Sequence, residues 1–128
     1  MSSQSYIFQI SEAASAGTLN YYIPFDKLVF VESVSIVANQ TIAAHAANHV
    51  TLTCYGSDGA TALCARNTDS GGTGSTLTAG TSEDLAMLNR DKADFDGTQS
   101  MKIATVQAGS GKITDLVLNI QVADARKY

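Results

Sequence analysis

The side chains of this chain that most often carry chemistry are two histidines and two cysteines: His45, His49, Cys54 and Cys64. The histidines are four residues apart, a spacing that on a helix would place both imidazoles on one face for a metal ion. The segment between them, residues 46–48, contains no carboxylate and lies between two predicted strands. We therefore interpret His45 as a loop residue and His49 as the first residue of a strand, and we predict no metal site.

The two cysteines flank a turn formed by residues 56–59, Gly-Ser-Asp-Gly. In a tight hairpin at this turn, Cys54 faces Thr61 and the two thiols point to opposite faces of the sheet. A bulged loop would bring Cys54 and Cys64 diagonally opposite each other, but it would also turn Leu63 out of the core. We favour free thiols, which agrees with an origin in the cytosol.

Two further motifs have a trace of a binding site. Residues 109–112, Gly-Ser-Gly-Lys, lack the leading glycine and the closing Ser or Thr of a phosphate-binding loop, so we predict a hairpin turn there. Asp91, Asp94 and Asp96 resemble part of a calcium loop, but a bound Ca²⁺ needs more oxygen ligands, including a closing glutamate. Neither motif leads us to predict a cofactor.

The sequence gives little support for an enzymatic function. It contains no Gly-x-Ser-x-Gly elbow, and a Ser-His-Asp arrangement would have to recruit one of two closely spaced histidines. We assign no catalytic, cofactor-binding or metal-binding residue, and we predict that the protein is not an enzyme.

The composition indicates a single domain with an unusually uncharged surface. The chain has 128 residues, a mass of 13.4 kDa, 16% charged residues and a formal net charge of -4. Its eight Lys and Arg residues are scattered, so we predict no nucleic-acid partner. The first residues lack the features of a signal peptide and no apolar run is long enough to span a bilayer. We predict no membrane partner and a protein made and kept in the cytosol until assembly.

Apolar residues recur at every second position in several runs, which is typical of strands with one buried face. Val34, Ile36 and Ala38 show this pattern. The last run, Ile113–Ala123, alternates over a length that predicts a central strand in the core. Eight strands are predicted, enough for two facing sheets. They cover Ser5–Ile10, Leu19–Ile23, Leu28–Ala38, His49–Tyr55, Thr61–Arg66, Glu83–Leu88, Ser100–Val106 and Ile113–Ala123.

Two segments of the sequence allow more than one structural interpretation. Residues 67–82 are rich in Gly, Ser and Thr, which predicts a long mobile loop and a candidate contact loop. Residues 81–84 could cap a short helix, yet Asp84 stands where a capping box has Glu or Gln, and Leu85 and Met87 alternate. We therefore predict a strand there.

Four stretches of the sequence carry a resemblance to a known group of proteins. They are Ala16-Gly17-Thr18 before a strand, then VESVSIVANQTIAAHAANHVTLTCYGSDGATALCARNT, LTAGTSEDLAML and QAGSGKITDLVLNIQV. In these turn and strand patterns the chain resembles the small jelly-roll structural proteins of tailed bacteriophages, and most of all the capsid decoration proteins, also called cement or head-stabilising proteins. The similarity runs from about Ala16 to Val122.

The resemblance implies an all-β jelly-roll sandwich of about eight antiparallel strands. It also implies a protein that sits on the outer surface of the virion capsid, as a homotrimer or as separate copies, and bridges neighbouring subunits of the major capsid protein. Such proteins have no catalytic residues to carry over. Fibre heads and receptor-binding tips use the same sandwich, so the fold does not decide the role.

We therefore expect one domain over residues 1–128 that stabilises the expanded shell, with homo-oligomers, trimers above all. Residues 1–4 and 124–128 are candidate arms toward a partner, or simply frayed ends. Thr51 and Thr53, if they point outward, either pack against a sister subunit or are solvated strand positions. The alternative function is a receptor- or glycan-binding module of a head fibre or tail tip. A small enzyme or lectin-like cytosolic domain is ranked last.

Overall fold

The computed structural model describes residues 3–12, 17–25 and 27–124 and is built almost entirely from strands. All eight predicted strands are present, and the structure adds a two-residue strand and one turn of 3-10 helix, Arg90–Lys92. The strands are β1 Ser3–Glu12, β2 Gly17–Pro24, β3 Val29–Ala38, β4 Val50–Tyr55, β5 Ala62–Asn67, β6 Ser82–Leu85, β7 Asp94–Phe95, β8 Ser100–Gln107 and β9 Thr114–Asp124. The described part of the chain contains no helix with the length and hydrophobicity of a membrane span.

The strands form two antiparallel sheets. One sheet has five strands in the order β1-β9-β3-β6, with the short β7 also paired to β3, and the other has four in the order β2-β8-β4-β5. When β7 is left out and the remaining strands are renumbered, the orders become 1-8-3-6 and 2-7-4-5, which is the double Greek key of a jelly roll. The predicted all-β jelly-roll sandwich is confirmed.

The core lies between the two sheets, and the period-two pattern of the sequence builds it. In β9 every second side chain from Leu116 to Val122 is at most 1% exposed, and the strand pairs with β1 on one side and β3 on the other. In β4, Val50, Leu52 and Cys54 are buried in the same way. The prediction that the last strand is central is therefore confirmed, because only a strand with two neighbours buries such a length.

The hairpin of β4 and β5 corrects one prediction. Cys54 lies opposite Cys64, not opposite Thr61, and Tyr55 lies opposite Ala62. Leu63 is the extra residue of a β-bulge between these two pairs. The bulge gives β5 two successive core residues, since Leu63 and Cys64 are both 0% exposed. The tight-hairpin register was wrong because the loop between the strands is longer than a tight turn, with Tyr55 already paired to Ala62, and because the bulge shifts the pairing by one further residue. The expectation that a bulge would turn Leu63 out of the core was also wrong. Both cysteines are free, as expected.

The candidate arms lie mostly beyond the part of the chain that can be described. Residues 1–2 and 125–128 lie outside the described residues. Ser3 and Gln4 belong to β1, where they pair with Ala123 and Val122 of β9, and Asp124 is the last residue of β9. The described portions of both predicted arms are thus strand residues that join the two chain ends in one sheet.

Candidate protein-docking surface

The residues that suggested chemistry in the sequence lie at separate places in the sandwich. His45 lies in the β3–β4 loop, where its Nδ1 accepts the backbone N–H groups of Ala47 and Asn48 at 3.0 and 2.9 Å. His49 directly precedes β4, and its Nε2 lies 3.6 Å from a carboxylate oxygen of Asp69. Both histidines have the predicted positions, one in a loop and one beside a strand. Each contributes to holding a loop.

The Gly-Ser-Gly-Lys motif forms a tight turn, as predicted, but not a hairpin. Gly109 adopts a φ of 61°, a left-handed conformation that favours glycine, and Gly111 donates its N–H to the carbonyl of Ala108 at 3.0 Å. The strands that this turn connects, β8 and β9, belong to different sheets. The turn therefore carries the chain across the sandwich. A local glycine motif does not reveal whether the next strand joins the same sheet.

The three aspartates of the calcium-like motif do not converge. Asp91 lies in the 3-10 helix and Asp94 in β7, while the Asp96 carboxylate accepts the hydroxyl and the backbone N–H of Thr98 at 2.6 and 2.8 Å. The hydrogen bond from the Thr98 hydroxyl is the main cause of a lowered pKa of Asp96, and the one from the Thr98 N–H adds to it. Within the described ranges, no three His, Cys, Asp or Glu side chains are grouped as metal ligands would be.

The Gly-rich loop between β5 and β6 was predicted to be mobile, but it is held at several points. Thr68 is 0% exposed, donates its N–H to the carbonyl of Val50 and accepts the Val50 N–H through its hydroxyl, both at 3.0 Å. Leu77, 4% exposed, pairs with Ile42 of the β3–β4 loop. Arg66 donates to the carbonyls of Ser75 and Thr76. Thr68, Leu77 and Arg66 thus hold this loop in place, although its sequence shows no regular pattern.

The first candidate for a functional surface is the outer face of the four-stranded sheet, which we name the docking face. Its members are the side chains that alternate with the buried residues, and cross-strand partners share a face. They are Thr18, Asn20, Tyr22, Lys102, Ala104, Val106, Thr51, Thr53, Tyr55, Ala65 and Asn67. Lys102 is the only charged side chain among them. Thr51 and Thr53 point outward, because Val50, Leu52 and Cys54, which alternate with them, are buried.

The docking face exposes apolar side chains and carries few charges that would have to lose their hydration on binding. Tyr22 is 60% exposed and Val106 is 43% exposed. The Lys102 ammonium lies 4.5 Å from the centre of the Tyr55 ring, a cation–π contact that places the cation along the face. Desolvating short hydroxyl and methyl groups costs far less than desolvating unpaired charges, so the face suits contact with another protein.

The outer face of the five-stranded sheet is also nearly uncharged but is more polar. Amide and hydroxyl side chains line its middle, and Gln121 donates through Nε2 to the Ser5 hydroxyl at 2.7 Å. Asn119 of β9 buries its Oδ1 without a hydrogen-bond partner. Ile7 is 65% exposed on this face.

A second candidate is a cleft of about 350 Å³ at the end of the sandwich, between the β3–β4 loop and the β8–β9 turn. Its lining includes His45, Asn48, Ser110 and Lys112. Asn48 joins the two walls, because its Oδ1 accepts the Ser110 N–H at 2.9 Å. Hydroxyl, amide, imidazole and ammonium groups are those that hold polar ligands rich in oxygen, such as sugars.

Sequence reasoning found part of the docking face and missed its apolar members. Thr51 and Thr53 were singled out from the alternation of β4, but Tyr22 and Val106 were not. The signal was present, since β8 also alternates and places Val106 out of phase with Met101, Ile103 and Thr105, each 0% exposed. The pairing of Val106 with both Thr18 and Thr51 could not be read from one strand alone.

Comparison of the chain with protein-family models, with curated proteins and with solved structures finds no match. The jelly-roll assignment therefore rests on the strand order itself. Because one fold serves many functions, the role of this protein has to be argued from its surfaces.

Proposed function

We propose that this protein is a structural virion protein that binds the outside of a tailed-phage capsid, contacts the major capsid protein and stabilises the expanded shell. The observation that carries the proposal is the docking face, with exposed Tyr22 and Val106 and the single charge of Lys102. The likeness of the sequence to decoration proteins supplies the choice of a capsid as partner.

A lattice of identical shell subunits makes a modest surface sufficient. A specific protein contact buries on the order of 1,000 Å² or more, which a flat sheet face can provide. A copy that touches two subunits holds them together, and the second contact benefits from a high effective concentration. Selective binding to the expanded shell then raises its apparent stability by mass action.

The direct test is to rebind the purified protein to shells that lack it and to measure the melting temperature of the shells. We expect saturable binding and a higher melting temperature. Val106→Asp should weaken binding more than tenfold, because an unpaired charge in an interface costs several kcal/mol. Leu88→Asp is the matched control, since Leu88 is 60% exposed but is not one of the docking-face residues. Failure of the unmodified protein to bind such shells would count decisively against decoration.

A receptor- or glycan-binding role in a fibre or tail tip is the second candidate function, and the cleft beside His45 and Lys112 favours it. Copy number separates the two roles. Quantitative mass spectrometry of purified particles should give near-equal amounts of this chain and the major shell protein for decoration. A few copies per particle would instead support the fibre or tail-tip role.

A further inference from the structure

The two long sides of the sandwich end in different ways. At the side formed by β5 and β6, the free edge of β5 is covered: Leu88 donates its N–H to the Leu63 carbonyl, and Asn89 Nδ2 donates to the Ala62 carbonyl, both at 2.7 Å. Arg66 also crosses from β5 to Glu83 of β6, at 2.8 Å. On this side, the closed side, these contacts occupy the start of the β5 edge and hinder the addition of another strand there.

The opposite side, formed by β1 and β2, is open. Each strand pairs with one neighbour only among the described residues, β1 with β9 and β2 with β8. Proteins usually protect such edges with charges, prolines or bulges. From Ser3 to Ser11, β1 has no charged residue and no proline, and its pairing with β9 is regular. An edge of this length without such protection is a template for another strand.

The hydrogen-bond phase of the sheet identifies which residues of β1 face the open edge. Asn39 donates its N–H to the carbonyl of Asp115 at 2.9 Å, so the odd-numbered residues of β9 bond toward β3. Because bonding directions alternate along an antiparallel strand, the even-numbered residues of β9 and their β1 partners bond to each other. The backbone N–H and C=O groups of Ser5, Ile7 and Gln9 therefore point away from β9.

The side chains at this edge are apolar and incompletely covered. Ile7 has the largest exposed fraction, 65%, of the large hydrophobic side chains in the described ranges. On the inner face, Tyr6 and Phe8 are only partly buried. Tyr6 contacts Phe25 and Phe8 contacts Tyr21, with ring centroids 5.2 and 5.6 Å apart. An additional strand would cover all three side chains of β1.

We propose that β1 pairs antiparallel with β1 of a second copy of this chain, about a twofold axis at Ile7. This register places Ile7 opposite Ile7, Ser5 opposite Gln9 and Tyr6 opposite Phe8, so each exposed group meets a complementary one. Residues 3–11 of β1 carry no charge, so they pair with those of a second copy without like-charge repulsion. Gln121 already bonds to Ser5 across the β1–β9 pair, which shows that this geometry brings the two side-chain types within reach. The inference is independent of the proposed function.

The twofold pairing produces a dimer, whereas the resemblance to decoration proteins implies a trimer. Native mass spectrometry and sedimentation equilibrium of the purified protein decide between them. We expect a dimer, and Ile7→Lys or Ile7→Glu alone should weaken it at least tenfold, because like charges would meet at the axis. An equimolar mixture of the two variants should form a heterodimer. Leu88→Lys, the matched control at 60% exposure, should leave the dimer unchanged.

Residue-resolved hydrogen exchange tests the register in the unmodified protein. The amides of Tyr6 and Phe8 should be protected at every concentration, since they bond to β9. The amides of Ser5, Ile7 and Gln9 should exchange rapidly in dilute monomer and become protected in concentrated samples. A trimer, a protein that stays monomeric, or a dimer indifferent to both charge variants would overturn the proposal. A dimer in which the amides of Ser5, Ile7 and Gln9 stay unprotected would show that β1 does not form the contact, and would overturn the proposed pairing.

Discussion

Cys54 and Cys64 lie directly opposite each other on β4 and β5, and both thiols are buried and free. The relationship depends on the bulge at Leu63, which lets β5 place Leu63 and Cys64 in the core one after the other. The hydrogen bond with Cys64, followed by burial, raises the pKa of Cys54 well above its ordinary value. Cys54 is therefore held as a protonated thiol, which is a poor nucleophile.

The first prediction concerns the reactivity of these thiols. In the native protein at pH 8, neither Cys54 nor Cys64 should react with a bulky maleimide on the timescale of minutes, because both are 0% exposed and the raised pKa of Cys54 also disfavours its thiolate. In denaturant both should react at the rate of an ordinary thiol. Counting labelled thiols by intact-protein mass spectrometry provides the measurement. Rapid labelling of one cysteine in the folded protein would contradict the packing described for the hairpin.

The fold was predictable because periodicity is a local signal. The alternation around Val34 and along β9 identified strands and their buried faces without any knowledge of the partners. The register of β4 against β5 was not predictable, since a bulge of one residue at Leu63 changes every pairing beyond it. The same holds for the turn after Gly109, whose following strand lies in the other sheet.

The candidate site was predictable only in part, because a face is a property of several strands. The outward direction of Thr51 and Thr53 followed from β4 alone. That Val106 and Tyr22 share their face depends on the β2–β8 and β4–β8 registers, which join residues far apart in the chain. The open edge at β1 likewise depends on sheet order, and no residue pattern within β1 states which strand is last.

A second prediction tests whether the β5–β6 loop is as constrained as its contacts indicate. A Cβ at Gly74 would collide with Asn67 Oδ1 and the Asp69 backbone nitrogen, whereas at Gly72 the nearest atom is 3.8 Å away. Gly74→Ala should lower the free energy of unfolding by about 1–3 kcal/mol through steric overlap. Gly72→Ala, in the same loop, should change it much less. The two free energies of unfolding are measured by urea denaturation. Equal effects of Gly74→Ala and Gly72→Ala would show that the loop shifts to accommodate the added methyl group.

A third prediction concerns Asp58 in the β4–β5 turn. The Thr61 hydroxyl at 2.6 Å, followed by the N–H groups of Ala60 and Thr61, lowers the pKa of Asp58 from 3.8 to about 2. Because the pKa is depressed in the folded state, the stabilisation is present at neutral pH and is lost as the pH falls from about 4 through about 2. Carboxyl NMR titration should give a midpoint near 2. Thr61→Val should raise the midpoint. An unchanged midpoint would show that the Thr61 hydroxyl is not the main cause of the lowered pKa.

The fourth prediction concerns Arg66, which joins the sheets at the closed side. Its guanidinium donates to both carboxylate oxygens of Glu83 at 2.8 and 3.2 Å and also to the carbonyls of Ser75 and Thr76. The Arg66 side chain is 13% exposed, so these bonds are poorly replaced by water. Arg66→Ala should lower the free energy of unfolding by about 1.5–3 kcal/mol, the range for hydrogen bonds to charged groups.

Two further variants separate the geometry of Arg66 from its charge. Arg66→Lys keeps the charge but cannot reach the carboxylate and both carbonyls together, so we expect it to recover less than half of the loss. Arg90→Ala is the control, because the exposed Arg90 makes one long bond, 3.5 Å to the Glu32 carbonyl. Urea denaturation of the three variants supplies the measurement. If Arg66→Lys were as stable as the unmodified protein, charge alone would account for the contact, and the fork of hydrogen bonds would not hold the closed side together.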